Sequence, residues 1–242
     1  MISIIIPTKD EEKYLPMLLT SIKNNNYPNK YEIIVADANS KDNTVKISKS
    51  FGCKVIKGGM PGIARNNGAK VANGDILMFI DADMILPPNF IGSAVKEFKK
   101  KSLSVCSCDF VPFDSRDLLD LFLYELYNLL VYSTQCISPH ASGMFIMIKK
   151  KVHDKINGFD SEVVMAEDHD YVRRAGKISK FRILTSTFAY NSIRRLKREG
   201  RFNLTRKYLI CEMHRICGNK LYKSPVRYKL HGGVDVNINM RR

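Results

Sequence analysis

Ile76-Leu77-Met78-Phe79-Ile80-Asp81-Ala82-Asp83 is an unbroken apolar run that ends on two carboxylates. Five consecutive large apolar residues leave no polar face, which is the pattern of a strand buried on both sides of a sheet. Such a strand needs helices over both faces, so the surrounding sequence should alternate between the two periods. Ile2 to Ile6 is a second β-branched run, ended by Pro7. Leu15, Leu18, Leu19 and Ile22 then recur at i, i+3, i+4 and i+7, with Pro16 acceptable in a first helical turn. Tyr31 to Ala36 reads as a strand. Ser40 or Asp42 can cap a helix that runs to Phe51 and stops at Gly52. Lys54-Val55-Ile56 is a short strand, Gly58 to Gly62 a loop, and Ala64 to Val71 a helix.

Strands joined through helical segments imply right-handed crossovers. The expected fold class is therefore α/β, with a mostly parallel central sheet flanked by helices. In such sheets ligands bind at the carboxyl ends of the strands. Asp37 follows the second strand, and Asp81 and Asp83 follow the fourth, so the acids fall in the expected crevice. Asp81 and Asp83 are two apart and project to one side of an extended backbone. Two hard carboxylates at that spacing suit Mg²⁺ or Mn²⁺, especially where diphosphate oxygens complete the shell. A lone Asp-x-Asp is common by chance; its position at a strand end gives it weight.

The second half is less regular. Asp117 to Tyr132 reads as a helix with Asp117, Asp120, Tyr124, Asn128 and Tyr132 along one face and Leu, Phe and Val elsewhere; packing into the core is its expected role. Gly143 to Ile148 reads as a strand, and a helix starts near Asp168 and ends at Gly176.

Formal net charge is +15, concentrated at the C-terminal end. From Tyr190 to Arg242 there are 14 Lys and Arg against Glu199, Glu212 and Asp235. A helical basic extension over 190–242, following a domain at 1–189, would attract phosphates or the anionic face of a membrane. The domain itself divides into a nucleotide-binding half at 1–100 and an acceptor half at 101–189. The six cysteines show no metal-ligand spacing and are expected as free thiols. No stretch reaches the apolar length of a membrane span, and the Ser3 to Ile6 run is too short for a signal peptide. The expected location is cytoplasmic, with peripheral contact at the inner face of the membrane through the basic region.

Taken in order, Ile4-Ile5-Ile6-Pro7-Thr8-Lys9-Asp10-Glu11-Glu12, Ile34-Val35-Ala36-Asp37-Ala38-Asn39-Ser40, Gly62-Ile63-Ala64-Arg65-Asn66 and Asp81-Ala82-Asp83 resemble the family-2 glycosyltransferases. These are inverting enzymes of the A-type, nucleotide-diphospho-sugar transferase fold. The resemblance resumes at Gly143-Met144-Phe145, Gly158-Phe159-Asp160 and Glu167-Asp168, and Ser192-Ile193-Arg194-Arg195 matches one subset. It implies that Pro7, Thr8 and Glu11 line the nucleotide pocket, that Asp37 accepts a hydrogen bond from the base, and that Arg65 lies against the nucleotide. It implies that Asp81 sits near ribose and metal, that Asp83 ligates Mn²⁺ or Mg²⁺, and that Asp168, positioned by Glu167, is the general base. The histidine that many relatives carry downstream of the base is absent from Phe188-Ala189-Tyr190-Asn191-Ser192. Arg194 and Arg195 are expected to hold the diphosphate instead, while His214 or His231 could complete the metal site.

The function these residues imply is transfer of a sugar from a nucleotide-sugar donor, UDP-linked by preference, to a glycan, lipid or small-molecule hydroxyl. A polyprenyl-phosphate acceptor is the alternative, although such an acceptor needs no base. A nucleic-acid-binding module would rest on charge alone and leaves the strand-end acids unexplained; no nucleic acid is expected. A nucleotidyltransferase would want a glycine-rich phosphate loop, and Pro7 to Glu12 has no glycine.

Overall fold

The computed structural model describes residues 1–163 and 166–206. Its strands are β1 (Ile2–Thr8), β2 (Tyr31–Asp37), β3 (Lys54–Lys57), β4 (Ile76–Ile80), β5 (Met84–Ile85), β6 (Val105–Pro112), β7 (Phe145–Lys149) and β8 (Phe181–Asn191). Its helices are α1 (Leu15–Lys23), α2 (Thr44–Ser50), α3 (Pro61–Val71), α4 (Phe90–Lys100), α5 (Leu118–Thr134), α6 (Lys150–Lys155), α7 (Glu167–Ile178) and α8 (Arg194–Glu199), and residues 201–206 are also helical.

The strands form one sheet in the order β3-β2-β1-β4-β7-β6-β8-β5. β1, β2, β3 and β4 pair in parallel, as the alternating pattern predicts. The other half is mixed. β7 runs antiparallel to both β4 and β6, β8 runs parallel to β6, and β5 is antiparallel to β8. The sheet is therefore mixed, and the wholly parallel pattern is confined to its first four strands. The expectation of a mostly parallel sheet flanked by helices holds, with the antiparallel pairings confined to β7 and the edge strand β5.

Period-2 alternation divides the core in two. Ile4, Ile6, Met78, Ile80, Phe145 and Met147 face the layer of Leu15, Leu18, Phe90 and Phe98 from α1 and α4. Ile5, Leu77, Phe79, Ile146 and Ile148 face the opposite layer, with Ala69, Phe159, Tyr171 and Val172. In that second layer Phe159 stacks on Tyr171 at 3.8 Å, and Phe79 meets both edge-on at 5.2 and 6.0 Å. Such pairs add about 0.5–1.5 kcal/mol each beyond their buried area. Leu15, Leu18, Leu19 and Ile22 are all buried, as their spacing requires.

Helix α5 corrects the expectation of a core-packing role. Its buried residues are Asp120, Asn128 and Val131, whereas Leu118, Phe122, Leu126 and Leu129 are exposed. The cause lies in the sheet. β7 pairs with β6 only at Val105 and Cys106, so the main chain of Phe110 needs other partners. The Asn128 amide supplies them, accepting from Phe110 N at 3.1 Å and donating to Phe110 O at 2.9 Å. An unsatisfied buried peptide group costs more than an exposed leucine, so the polar face turned inward.

Other expectations shift by small amounts. α3 begins at Pro61, three residues before Ala64. α2 has no side-chain bond from its N-cap Asn43; instead Asp42 accepts from Thr44 N at 2.9 Å. β8 runs to Asn191. Cys53, Cys106 and Cys108 are free and buried and Cys136 is free and exposed. Among the described residues no helix is long and apolar enough to cross a membrane.

Candidate active site

The parallel register aligns Thr8 with Asp37, so the ends of β1 and β2 open side by side. Thr8 Oγ1 donates to Asp37 Oδ1 at 3.0 Å, and Ser40 N donates to Asp37 Oδ2 at 2.8 Å. The Ser40 hydroxyl also donates to Oδ1, which leaves Asp37 Oδ2 with room for one more donor. The two loops that follow these strands are stitched together. Asp10 N donates to Ser40 Oγ at 2.9 Å, Lys41 N to Asp10 Oδ1 at 2.7 Å, and Glu11 N to Thr44 Oγ1 at 2.7 Å. Pro7 sits in β1 opposite Ala36 and removes a main-chain donor at the lip of this crevice.

Arg65 gathers the second group of acids. It is 3% exposed, on α3, and its Nη2 donates to Asp81 Oδ1 at 2.8 Å and to Gly143 O at 3.2 Å. Its Nη1 donates to Glu167 Oε1 at 3.0 Å, and the guanidinium lies over the Phe159 ring at 5.4 Å. Burial works against the cationic form, but the carboxylates of Asp81, Glu167 and Asp168 outweigh it and raise its pKa. Desolvation raises the pKa of Asp81 and of Glu167, with Arg65 opposing in both. The sequence missed Gly143 as a site residue. Its N–H donates to Asp168 Oδ2 at 2.5 Å, while its carbonyl accepts from Arg65. Asp168 Oδ1 also accepts from His169 N at 2.8 Å, so the carboxylate is fixed between the turn that leads into β7 and the first turn of α7. A Cβ at Gly143 would press on both Arg65 Nη2 and Asp168 Oδ2, so the glycine permits the close approach.

Arg194 gathers the third group. Its Nη1 and Nη2 form a fork on Glu11 at 2.7 and 2.6 Å, and its Nε lies 2.9 Å from Asp83 Oδ2. The guanidinium sits over Tyr14 at 4.7 Å. Burial pushes Glu11 up to about 7 and Asp83 up to about 6, with Arg194 opposing in each case. Asp114 fixes the start of α8 by accepting from Ser192 Oγ and Ile193 N, both at 2.8 Å. Arg195 turns to Glu199, 3.2 Å away.

Asp37 thus ends β2 and Asp81 follows the carboxyl end of β4, the two strands that flank β1. Arg65 ties Asp81 to Glu167, and Arg194 ties Asp83 to Glu11. Among the described residues no group of three or more His, Cys, Asp or Glu could hold a metal unaided. Asp81 and Asp83 nonetheless fit a Mg²⁺ or Mn²⁺ ion whose remaining ligands are phosphate and water oxygens. The cation would take over the charge that Arg194 now balances on Asp83. His214 and His231 lie outside the described residues.

Known proteins share this architecture. Over 90 residues the chain is 33% identical to the poly(ribitol-phosphate) beta-N-acetylglucosaminyltransferase TarS of Staphylococcus aureus, which covers 34% of the chain and 16% of that protein. Over 110 residues it is 34% identical to a dolichol-phosphate mannosyltransferase of Pyrococcus furiosus, covering 42% of the chain and 31% of the relative. The chain thus spans less than a third of either relative's length. A mannosyltransferase from Pyrobaculum calidifontis, solved with GDP-Man and Mn²⁺, superposes with a TM-score of 0.71 at 19% identity, over 93% of this chain and 65% of that one. That likeness establishes the A-type nucleotide-sugar transferase fold. The model of glycosyl transferase family 2 matches residues 3–156, well over half of the sequence, and the chain belongs to that family.

Proposed function

We propose that the chain is an inverting glycosyltransferase that moves a sugar from a UDP-linked donor to an acceptor hydroxyl, with Asp168 as general base. The observation that carries this reading is the Arg65 bridge, which brings together the strand-end acid Asp81 and the helix-start pair Glu167 and Asp168. Donor and acceptor acids from distant parts of the chain need such a hinge point if both substrates are to meet.

Each residue has a physical task. The vacant acceptor position on Asp37 Oδ2 suits the imide N–H of uracil. Arg194, released from its fork on Glu11 and from Asp83, has a planar guanidinium matched to diphosphate oxygens. Asp83, with Asp81 beside it, would hold a divalent cation, which would supply positive charge against the departing diphosphate. A hydroxyl is a weak nucleophile, so a carboxylate must take its proton as it attacks. Asp168 suits that role because two main-chain donors orient it and Glu167 is kept on Arg65, away from the proton in flight. Attack opposite the leaving group inverts the anomeric centre through a cation-like transition state.

The likeness to a dolichol-phosphate mannosyltransferase supports a second reading, in which the acceptor is a lipid phosphate. Such an acceptor is already anionic and needs no base. Asp168→Asn separates the two. Transfer to hydroxyl acceptors should fall by roughly 10²–10⁴ in kcat with donor binding intact. Full activity of that variant on a lipid phosphate would reject the hydroxyl mechanism. Calorimetry with UDP, GDP and CDP in Mn²⁺ tests the base: UDP should bind tightest, and Asp37→Ala should erase the preference.

A further inference from the structure

Helix α5 presents its apolar residues outward. Leu118, Phe122, Leu126 and Leu129 recur at i, i+4, i+8 and i+11 and are 82%, 61%, 51% and 62% exposed, with Leu119 and Leu130 beside them. Six large apolar side chains over one 17-residue helix form a contiguous patch, unlike the scattered leucines of an ordinary surface. Basic side chains stand at its N-terminal end. Arg201 reaches back to Asp117 and, at 2.7 Å, to Asp120, which neutralises the two acids of that turn. Arg116 is exposed there, Lys197 is 57% exposed while its Nζ lies 3.6 Å from Asp114 Oδ2, and Phe202, next to Arg201, is 93% exposed. The carboxylate left on the outward side is Glu125.

We infer that α5 and the basic segment beside it dock on an anionic lipid bilayer, with the Leu118–Leu129 stripe in the boundary between headgroups and acyl chains and Arg116 and Lys197 against lipid phosphates. A helix lying in the membrane plane buries its apolar face about 5–10 Å deep, which a single row of Leu and Phe matches. Charge selects lipid over a second copy of the chain. At a net +15 two copies repel, whereas a negative surface attracts each of them. Beyond Arg206 the sequence adds eight more Lys and Arg against two acids, in the same sense. This inference does not rest on the sugar-transfer reading.

The chain has no tryptophan, so Phe122→Trp introduces a single indole reporter at the centre of the stripe. The full chain is floated with phosphatidylcholine vesicles, with and without phosphatidylglycerol. Binding should require the anionic lipid, weaken as salt is raised, and shift the Trp emission to the blue. The triple variant Phe122→Ser, Leu126→Ser, Leu129→Ser should lose at least about tenfold in partition. Undiminished partition of that variant, or an unshifted indole, overturns the inference. So does loss of a dimer from the triple variant in sedimentation equilibrium, which would assign the stripe to a second copy. A fall of several degrees in its melting midpoint would show the stripe to be core covered by the chain itself, and also overturns it.

Discussion

Arg65 is a buried cation balanced by two carboxylates from distant parts of the chain. It stands 3% exposed between Asp81 and Glu167 and sets the Gly143 carbonyl whose residue holds Asp168. Removing one partner from a buried ion network leaves the other uncompensated, which costs about 3–5 kcal/mol. Asp81 is 31% exposed, so solvent recovers part of its charge and the lower figure applies. Arg65→Ala should therefore lose about 3 kcal/mol, read as a fall of roughly 6–12 °C in melting midpoint for a domain of this size. Arg65→Lys should recover little, because a point ammonium cannot span two carboxylates and a carbonyl. A melting midpoint within about 2 °C of the parent would show that the network is not maintained in solution.

At the level of elements, α3 is positioned by what it lacks. Gly68 faces β1, and a Cβ there would overlap Ile5 Cγ2 and crowd Cγ1. Alanine gains about 1 kcal/mol in helix propensity over glycine, while forced overpacking costs about 1–3 kcal/mol. Ile5 is β-branched and wholly buried, so it cannot swing aside. Packing should win, and Gly68→Ala should lower stability in urea unfolding while displacing Arg65 one turn away and reducing transfer. A gain in stability would mean that α3 slides freely over the sheet. The first-half elements were legible because each obeys one period: Ile76 to Ile80 has no polar face, and Leu15, Leu18, Leu19 and Ile22 have one. Asp37, Asp81 and Asp83 were legible for a related reason, since strand ends in a parallel sheet share one edge. What escaped the sequence has no side-chain signature. Gly143 acts through its peptide group, and the inward turn of α5 follows from unpaired main chain at Phe110, on another element. Periodicity separated the two faces of α5 without saying which one the sheet required. The reach of Arg194 to Glu11, 183 residues away, has no local signature either and was not expected.

Across the whole molecule, the crevice makes stability depend on pH in a definite direction. Glu11 and Asp83 have folded-state pKa values raised to about 7 and about 6, against ordinary values of 4.5 and 3.8. Between the ordinary and raised values the folded chain binds more protons than the unfolded one, so stability falls as pH rises. The benefit is complete below about pH 4 and is gone once the pH has passed through 7. Glu97 acts in the opposite sense. Burial alone would raise it, but donors from Lys101, Ser186 and Thr185 bring it down to about 2, and its contribution is lost as pH falls below the ordinary 4.5. The two trends cross, and the metal-free protein should be most stable near pH 4, with a melting midpoint at pH 8 lower by about 5 °C or more. A divalent cation needs the ionised carboxylate, so its binding competes with protons at Asp83. Added MnCl₂ should raise the midpoint at pH 8 and leave it nearly unchanged at pH 5. Asp83→Asn removes an acid whose ionisation is disfavoured by burial, so it should flatten the pH dependence and abolish the Mn²⁺ response together. Scanning calorimetry of the parent and variant at both pH values measures each effect. A Mn²⁺ shift of equal size at pH 5 and pH 8 would place the ion away from Asp83.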